Sequence, residues 1–188
     1  MIESLVTTFN ISDEEAKLFS SCFELVTYVK GDKFLTSGKI ASKLGFVKSG
    51  VLKCSLIGEN KEVVDDFIFE NDFVSNYSSF LTEQASTKEI VCLTDSELLI
   101  TSKKKIDTLG SQYLFISEMA RTTAEQLFLA THKKLENLRL LSAKERYLLL
   151  LKKQGHLLQQ IPQYEIASYL NITTETVSRI KKDLLKRS

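Results

Sequence analysis

The stretch "YEIASYLNITTETVSRIKK", Tyr164 to Lys182, decides how the rest of the chain is read. Two short segments of helical apolar spacing flank Asn171 and Ile172, and Pro162 stands just before the first, where a proline suits a helix start. The spacing predicts one helix over Gln163 to Leu170 and a second from Thr173, as N-cap, to about Lys186. A helix-turn-helix needs a small residue where its helices cross, an αL-tolerant residue at the turn and apolar residues at fixed offsets. Ala167, Asn171 and Ile172 fill these roles, and Ile166, Leu170, Val177, Ile180 and Leu184 supply the shared core. Thr174, Glu175, Ser178, Arg179 and Lys182 are left on the outer face, one turn apart in two rows, with Thr176 beside them.

Those outward residues suit the reading of DNA. Arg179 offers a bidentate donor to guanine O6 and N7, and Glu175 an acceptor for cytosine N4. Thr174 suits a thymine methyl or a phosphate, while Ser178 and Lys182 suit backbone phosphates. The competing reading is an ordinary surface helix on which Glu175 and Arg179 form an i,i+4 ion pair worth a few tenths of a kcal/mol.

Charge is divided along the chain. Residues 1–131 hold 13 Lys and Arg against 19 Asp and Glu, whereas residues 132–188 hold 12 against 5. The basic end is the end with the helix pair, which fits binding of a polyanion by that half alone. A basic solvated helix face gives a similar count.

Upstream, Ser12 and Glu15 form a capping box, with Leu18, Phe19 and Phe23 as the apolar face of the helix it starts. From Leu25 to about Ser102 short β-prone runs alternate with turn residues, the pattern of an antiparallel sandwich or barrel. Gly31, Gly38, Gly50 and Gly58 are expected at turn positions of positive φ. "SQYLFISEMARTTAEQLFLATHKKLENL", residues 111–138, predicts a long helix. Its apolar groups, among them Phe115, Met119, Leu127, Ala130 and Leu138, point to more than one side, as when a helix also meets a symmetry mate. Ser142 and Glu145 make a second capping box for a helix ending near Gly155.

The N-terminus lacks the basic and apolar regions of a signal peptide, and no apolar run reaches the roughly 18 residues of a membrane span. A cytoplasmic protein with no membrane association is expected. Cys22, Cys54 and Cys92 lie singly and read as small buried hydrophobes. His132 and His156 sit in no metal-spaced cluster, and no phosphate loop or nucleophile signature occurs. Neither a metal, a cofactor nor an enzymatic activity is expected.

With these pieces in order, the sequence resembles the Crp/Fnr family of bacterial transcription regulators over nearly its whole length. "GDKFLTSG" and "GFVKSGVLK" lie in the β-rich part and "DSELLIT" closes it; "SAKERYLLLL" and "ASYLNITTETVSRI" follow. The last is similar to the family's I-A-x-x-L-G-(I/V)-(S/T)-x-E-T-(V/L)-S-R, with Asn171 in place of the glycine. The resemblance implies an α+β chain. Residues 1–110 would form a jelly-roll-like antiparallel β-roll sensor domain, 111–139 a dimerisation helix and 140–188 a helix-turn-helix domain. "QGHLLQQIPQ" is too short for a full β-hairpin, so the winged helix is expected to be reduced. The implied partners are double-stranded DNA, a second copy of the chain, RNA polymerase, and either an unknown small-molecule effector or none. The base-reading positions fall on Thr174, Glu175 and Arg179; Thr174 replaces an arginine of the cyclic-AMP-responsive member.

Cyclic-nucleotide binders of this family carry G-E-L and, about ten residues on, R-S-A, whose Glu holds a ribose hydroxyl and whose Arg neutralises the phosphate. Laid without gaps on "NDFVSNYSSFLTEQASTKEIV", these place the Gly on Ser75, the Glu on Asn76, the Arg on Ser86 and the Ser on Thr87. Both charges are gone, and a buried phosphate without its charge-assisted partner loses several kcal/mol. Thr131 and His132 stand where the long helix would approach a bound base. The prediction is a DNA-binding regulator insensitive to cyclic AMP. The alternative is a ligand-binding or protein-interaction module whose terminal helices only complete the fold.

Overall fold

The computed structural model describes residues 1–155 and 158–185. Helices α1 (Ile2–Phe9) and α2 (Asp13–Ser20) precede strands β1 (Glu24–Tyr28), β2 (Lys33–Leu35), β3 (Lys43–Ser49), β4 (Leu52–Ile57), β5 (Glu62–Ile68) and β6 (Phe73–Val74). Helix α3 (Tyr77–Thr82), strands β7 (Lys88–Cys92) and β8 (Ser96–Ser102), and helices α4 (Lys103–Gly110) and α5 (Leu114–Leu140) follow. The chain continues with α6 (Ala143–Gln154), a 3₁₀ turn (Leu158–Gln160), α7 (Gln163–Leu170) and α8 (Thr174–Leu185).

The strands form two four-stranded antiparallel sheets, ordered β1-β8-β3-β6 and β2-β7-β4-β5. Between them Phe34, Val47, Leu52, Val74, Ile90 and Leu98 make the core of the roll. Its turns use positive φ at Gly31, Gly38 and Gly50, as the sequence predicts. At Gly50 a Cβ would lie 2.2 Å from Ser96 Oγ, so both conformation and space exclude a side chain. Gly58 departs from the expectation: it has no positive φ, because its N–H bonds Lys61 O at 2.9 Å and closes the β4–β5 hairpin as a strand-end residue. Asn71 takes the left-handed conformation instead, at φ 70°, before β6.

Both capping boxes form. Ser12 Oγ accepts from Glu15 N–H while Glu15 accepts from Ser12 N–H, and Ser142 and Glu145 repeat the arrangement. Phe19 and Phe23 bury against Leu5 and against Phe115, Ile116 and Met119 at the start of α5, so the N-terminal helices anchor the long helix to the roll. Beyond that anchor α5 carries exposed apolar side chains: Phe128 is 70 % exposed, Leu135 45 % and Leu138 49 %. With Ala124 and Thr131 they fall at alternating spacings of four and three, the seam of a coiled coil.

Cys54 and Cys92 are buried, as expected, and burial pushes both thiols up to about 11. Cys22 is half-buried, because it lies in the turn that leaves α2. Among the described residues no helix is long and apolar enough to cross a membrane. Among the described residues no three His, Cys, Asp or Glu side chains gather as metal ligands do; His156 lies outside them.

Candidate nucleic-acid interface

Helices α7 and α8 meet through Ile166, Ala167, Leu170, Val177 and Ile180, all buried, with Ile172 and Leu184 packed against them. Asn171 sits between them in the left-handed conformation, φ 53° and ψ 50°, and supports the sharp turn that a glycine would otherwise make. Thr173 Oγ1 accepts from Thr176 N–H at 3.3 Å and starts α8 one residue later. Gln163 Nε2 donates to Thr174 O at 2.7 Å, tying the first turn of α8 to the start of α7. Arg146 Nη2 donates to Leu170 O at 3.0 Å, which caps the carbonyl end of α7 from α6.

This frame leaves Glu175, Ser178, Arg179 and Lys182 exposed on α8, with Thr174 and Thr176 half-buried beside them. Glu175 does not pair with Arg179; its carboxyl is held below the ordinary carboxylate range by its own backbone N–H and by the Thr173 and Thr174 hydroxyls. Arg179 therefore has no ion-pair partner among the described residues. The surface-pair reading of this helix is thus not realised. An uncommitted guanidinium on an exposed helix face is available to a ligand at no cost of breaking a pair.

The helix pair is also seated on the roll, which sequence reasoning missed. Strand β5 is the edge of its sheet, and α7 covers it: Val64 N–H donates to Ser168 Oγ at 3.0 Å. Lys53 Nζ on β4 lies 2.7 Å from Glu165 and 2.8 Å from Glu62. Burial works to lower the pKa of Lys53, but its bonds to Glu165 and Glu62 prevail and raise it. The Phe67 and Tyr169 rings meet at a tilt of 46° with centroids 5.4 Å apart, and Val51, Val64, Phe67 and Phe69 share one core with the helix-turn-helix. Helical spacing explained Ile166 and Leu170, but it offered no signal that the neighbouring Glu165 would be buried against a lysine more than a hundred residues away.

At the other end of the roll the structure brings Asn76 and Ser86 together. Asn76, the N-cap of α3, donates from Nδ2 to Ser86 Oγ at 2.6 Å. Ser86 Oγ also donates to Lys88 O at 2.8 Å and accepts from Lys88 N–H at 2.9 Å. Its backbone bonds both Gly38 N–H and Lys39 O. Asn76 and Ser86 are therefore committed to each other and to the backbone in a buried position. Ser75 turns away to donate to Lys43 O at 2.9 Å, and Thr87 is exposed.

Thr131 and His132 do not join this group within one chain. Both are exposed on α5, His132 facing Glu136 at 3.5 Å and stacking on Phe128. Helix α5 reaches α3 earlier, where Tyr77 Oη donates to Ala120 O at 3.1 Å.

Comparison with known proteins follows the same division. Residues 25–113 match the family described as the cyclic nucleotide-binding domain. None of the curated proteins matches the sequence. Solved structures match over most of the chain. The catabolite activator protein of Thermus thermophilus is 22 % identical, covers 98 % of this chain and 87 % of its own, and superposes with a TM-score of 0.61. FixK2 of Bradyrhizobium japonicum is 17 % identical over 88 % of this chain and 85 % of its own, with a TM-score of 0.71. The c-di-GMP responsive global regulator CLP of Xanthomonas campestris is 18 % identical over 94 % and 93 %, with a TM-score of 0.70.

The chain has the Crp/Fnr-type fold. Residues 25–113 of the roll match the cyclic nucleotide-binding domain in sequence, and the chain shares the fold of these solved structures over most of its length, α5 to α8 included. Asn76 and Ser86 both lie within the matched residues of the roll.

Proposed function

We propose that the chain is a transcription regulator that binds pseudo-palindromic DNA as a homodimer through α8, and that cyclic AMP does not control it. The observation that carries the reading is the exposed Arg179, which has no ion-pair partner among the described residues and lies beside Thr174, Glu175 and Ser178 on a helix whose first turn is pinned by Gln163. The exposed heptad-spaced stripe of α5 supports the homodimer. A two-fold pair of such units reads half-sites about 34 Å apart. The basic balance of residues 132–188 supplies the non-specific attraction. RNA polymerase is the macromolecule that such a regulator would engage once on its site.

Selection of bound fragments from random DNA tests this reading and is expected to return an inverted repeat. Arg179→Ala should then cost about 1–3 kcal/mol and relax preference at one base pair per half-site, and Lys182→Ala should weaken all sequences alike and reduce the salt slope by about 1. Recovery of no motif, with binding unchanged in Arg179→Ala, would leave the helix pair as a structural element alone.

A further inference from the structure

Where α5, α6 and α7 meet the end of β5, the molecule has a cavity of about 300 Å³. This lies at the small end of the range of about 300–1,000 Å³ typical of small-molecule sites. It is far in the chain from Asn76 and Ser86 and does not include the outward face of α8.

Its lining joins two chemistries. Lys133 and Lys134 of α5, Arg146 of α6 and the ring of Tyr169 bring polar groups together, and Leu149, Leu150 and their neighbours supply an apolar wall. Asp66 is the one carboxylate among the lining residues. Lys134 is engaged, 2.7 Å from Asp65 Oδ1 and above the Tyr169 ring at 5.9 Å. Among the described residues Lys133 is held only by an exposed pair with Glu136 at 3.0 Å, a contact of the kind worth little.

Arg146 is the least satisfied of the three. Its Nη2 bonds Leu170 O, yet its Nε is buried and has no hydrogen-bond partner among the described residues. A buried guanidinium N–H without an acceptor is costly, and an oxyanion is the acceptor that best fits the fork of an arginine. Burial, helped by the Asp66 and Asp65 carboxylates, pushes the Tyr169 hydroxyl up to about 12, so it keeps its proton and can donate.

We infer that this cavity is a binding site for a small organic anion, a phosphate or carboxylate carried on an apolar body, with Arg146 as its principal anchor. Lys133 turns from Glu136 to the anion, and the leucine wall takes the apolar part. Because the walls come from the roll, the long helix and the helix-turn-helix together, an occupant fixes the three relative to one another. The binding itself does not rest on the reading of α8 as a DNA-binding element.

Titration of the full chain with phenyl phosphate, followed by calorimetry and by amide chemical shifts, tests the site without DNA. Saturable binding is expected, with the shifts centred on residues 133–150 and 169–170, and Arg146→Gln should weaken it by about tenfold or more, the loss of a charge-assisted pair. Leu149→Trp, at a position 42 % exposed and so tolerant of a larger group, should block the cavity and abolish binding while the thermal transition stays in place. No saturation by about 10 mM, binding unchanged in Leu149→Trp, or equal affinity for inorganic phosphate would each overturn the inference.

Discussion

Lys53 of β4 and Glu165 of α7 lie 2.7 Å apart across 112 positions of sequence, with side chains only 13 % and 5 % exposed. This pair, with Glu62 as a third member, joins the roll to the helix-turn-helix through charge, beside the Val64–Ser168 hydrogen bond and a set of apolar contacts. Removing one member of a buried pair leaves the other uncompensated, whereas replacing both by apolar groups is often neutral. Glu165→Ala should therefore destabilise the chain by about 3 kcal/mol, the low end for such pairs because Lys53 keeps Glu62. Lys53→Met combined with Glu165→Leu should recover most of that loss. Urea unfolding of the two variants checks it; equal losses would show that the charge pair contributes nothing specific.

Asp65 governs part of the response to acid. Its burial favours the neutral form, but bonds to Lys134 at 2.7 Å and Lys88 at 2.6 Å, together with their charges, hold its carboxyl below the ordinary 3.8. A carboxylate whose pKa is lowered by folding stabilises the native state at pH above its unfolded value, and that contribution is lost as pH falls through the native value. Stability should thus fall below about pH 4, and Asp65→Asn should flatten the profile in that window while lowering stability at neutral pH. Denaturation midpoints measured from pH 3 to 7 decide it, and a parallel profile in the variant would exclude Asp65 as a source.

Ser86 satisfies two donors at once. Ser86→Ala removes the acceptor of Asn76 Nδ2 and of Lys88 N–H in a buried place, with an expected cost of about 1–3 kcal/mol. The same committed pair is the reason to expect no useful affinity for a cyclic nucleotide. Calorimetric titration with cyclic AMP and cyclic GMP should give no saturable heat in the micromolar range, and micromolar binding of either would refute this account of the pocket.

Phe128 is the largest exposed apolar group of the α5 stripe. If two copies meet along Ala124, Phe128, Thr131, Leu135 and Leu138, a charge at 128 must be buried at the contact. Phe128→Glu should raise the dimer dissociation constant by about thirtyfold or more, the size of an interface hot spot of about 2 kcal/mol. Sedimentation equilibrium of both proteins reads the change directly. A wild-type chain that stays monomeric at tens of micromolar would remove the homodimer from the proposal.

Much of the fold was legible because it rests on short-range rules. Two capping boxes, the αL position at Asn171 and the apolar offsets from Ile166 to Ile180 each depend on residues within about four positions of one another, and each forms as read. Other helices lacked such signals: α3 spans six residues, and α4 begins with three lysines and buries no residue, although Ser102 caps it. Gly58 shows the same limit at a single residue, since glycine permits a positive φ without requiring one, and the hairpin register decided otherwise.

The amino-acid sequence by itself determined which side of α8 faces outward, because 3.6 residues per turn and a fixed set of core positions leave no other choice. Only the tertiary structure decided how Asn76 and Ser86 are used: they are ten positions apart and hydrogen-bond only because α3 and the turn before β7 fold together. Likewise only the packing of α7 on the edge of β5 buried Glu165 against Lys53 and gathered Lys133, Lys134 and Arg146 around one cavity. Local spacing sets the direction of a side chain on its own element, whereas its partners across more than a hundred residues are set by which surfaces the whole chain must cover.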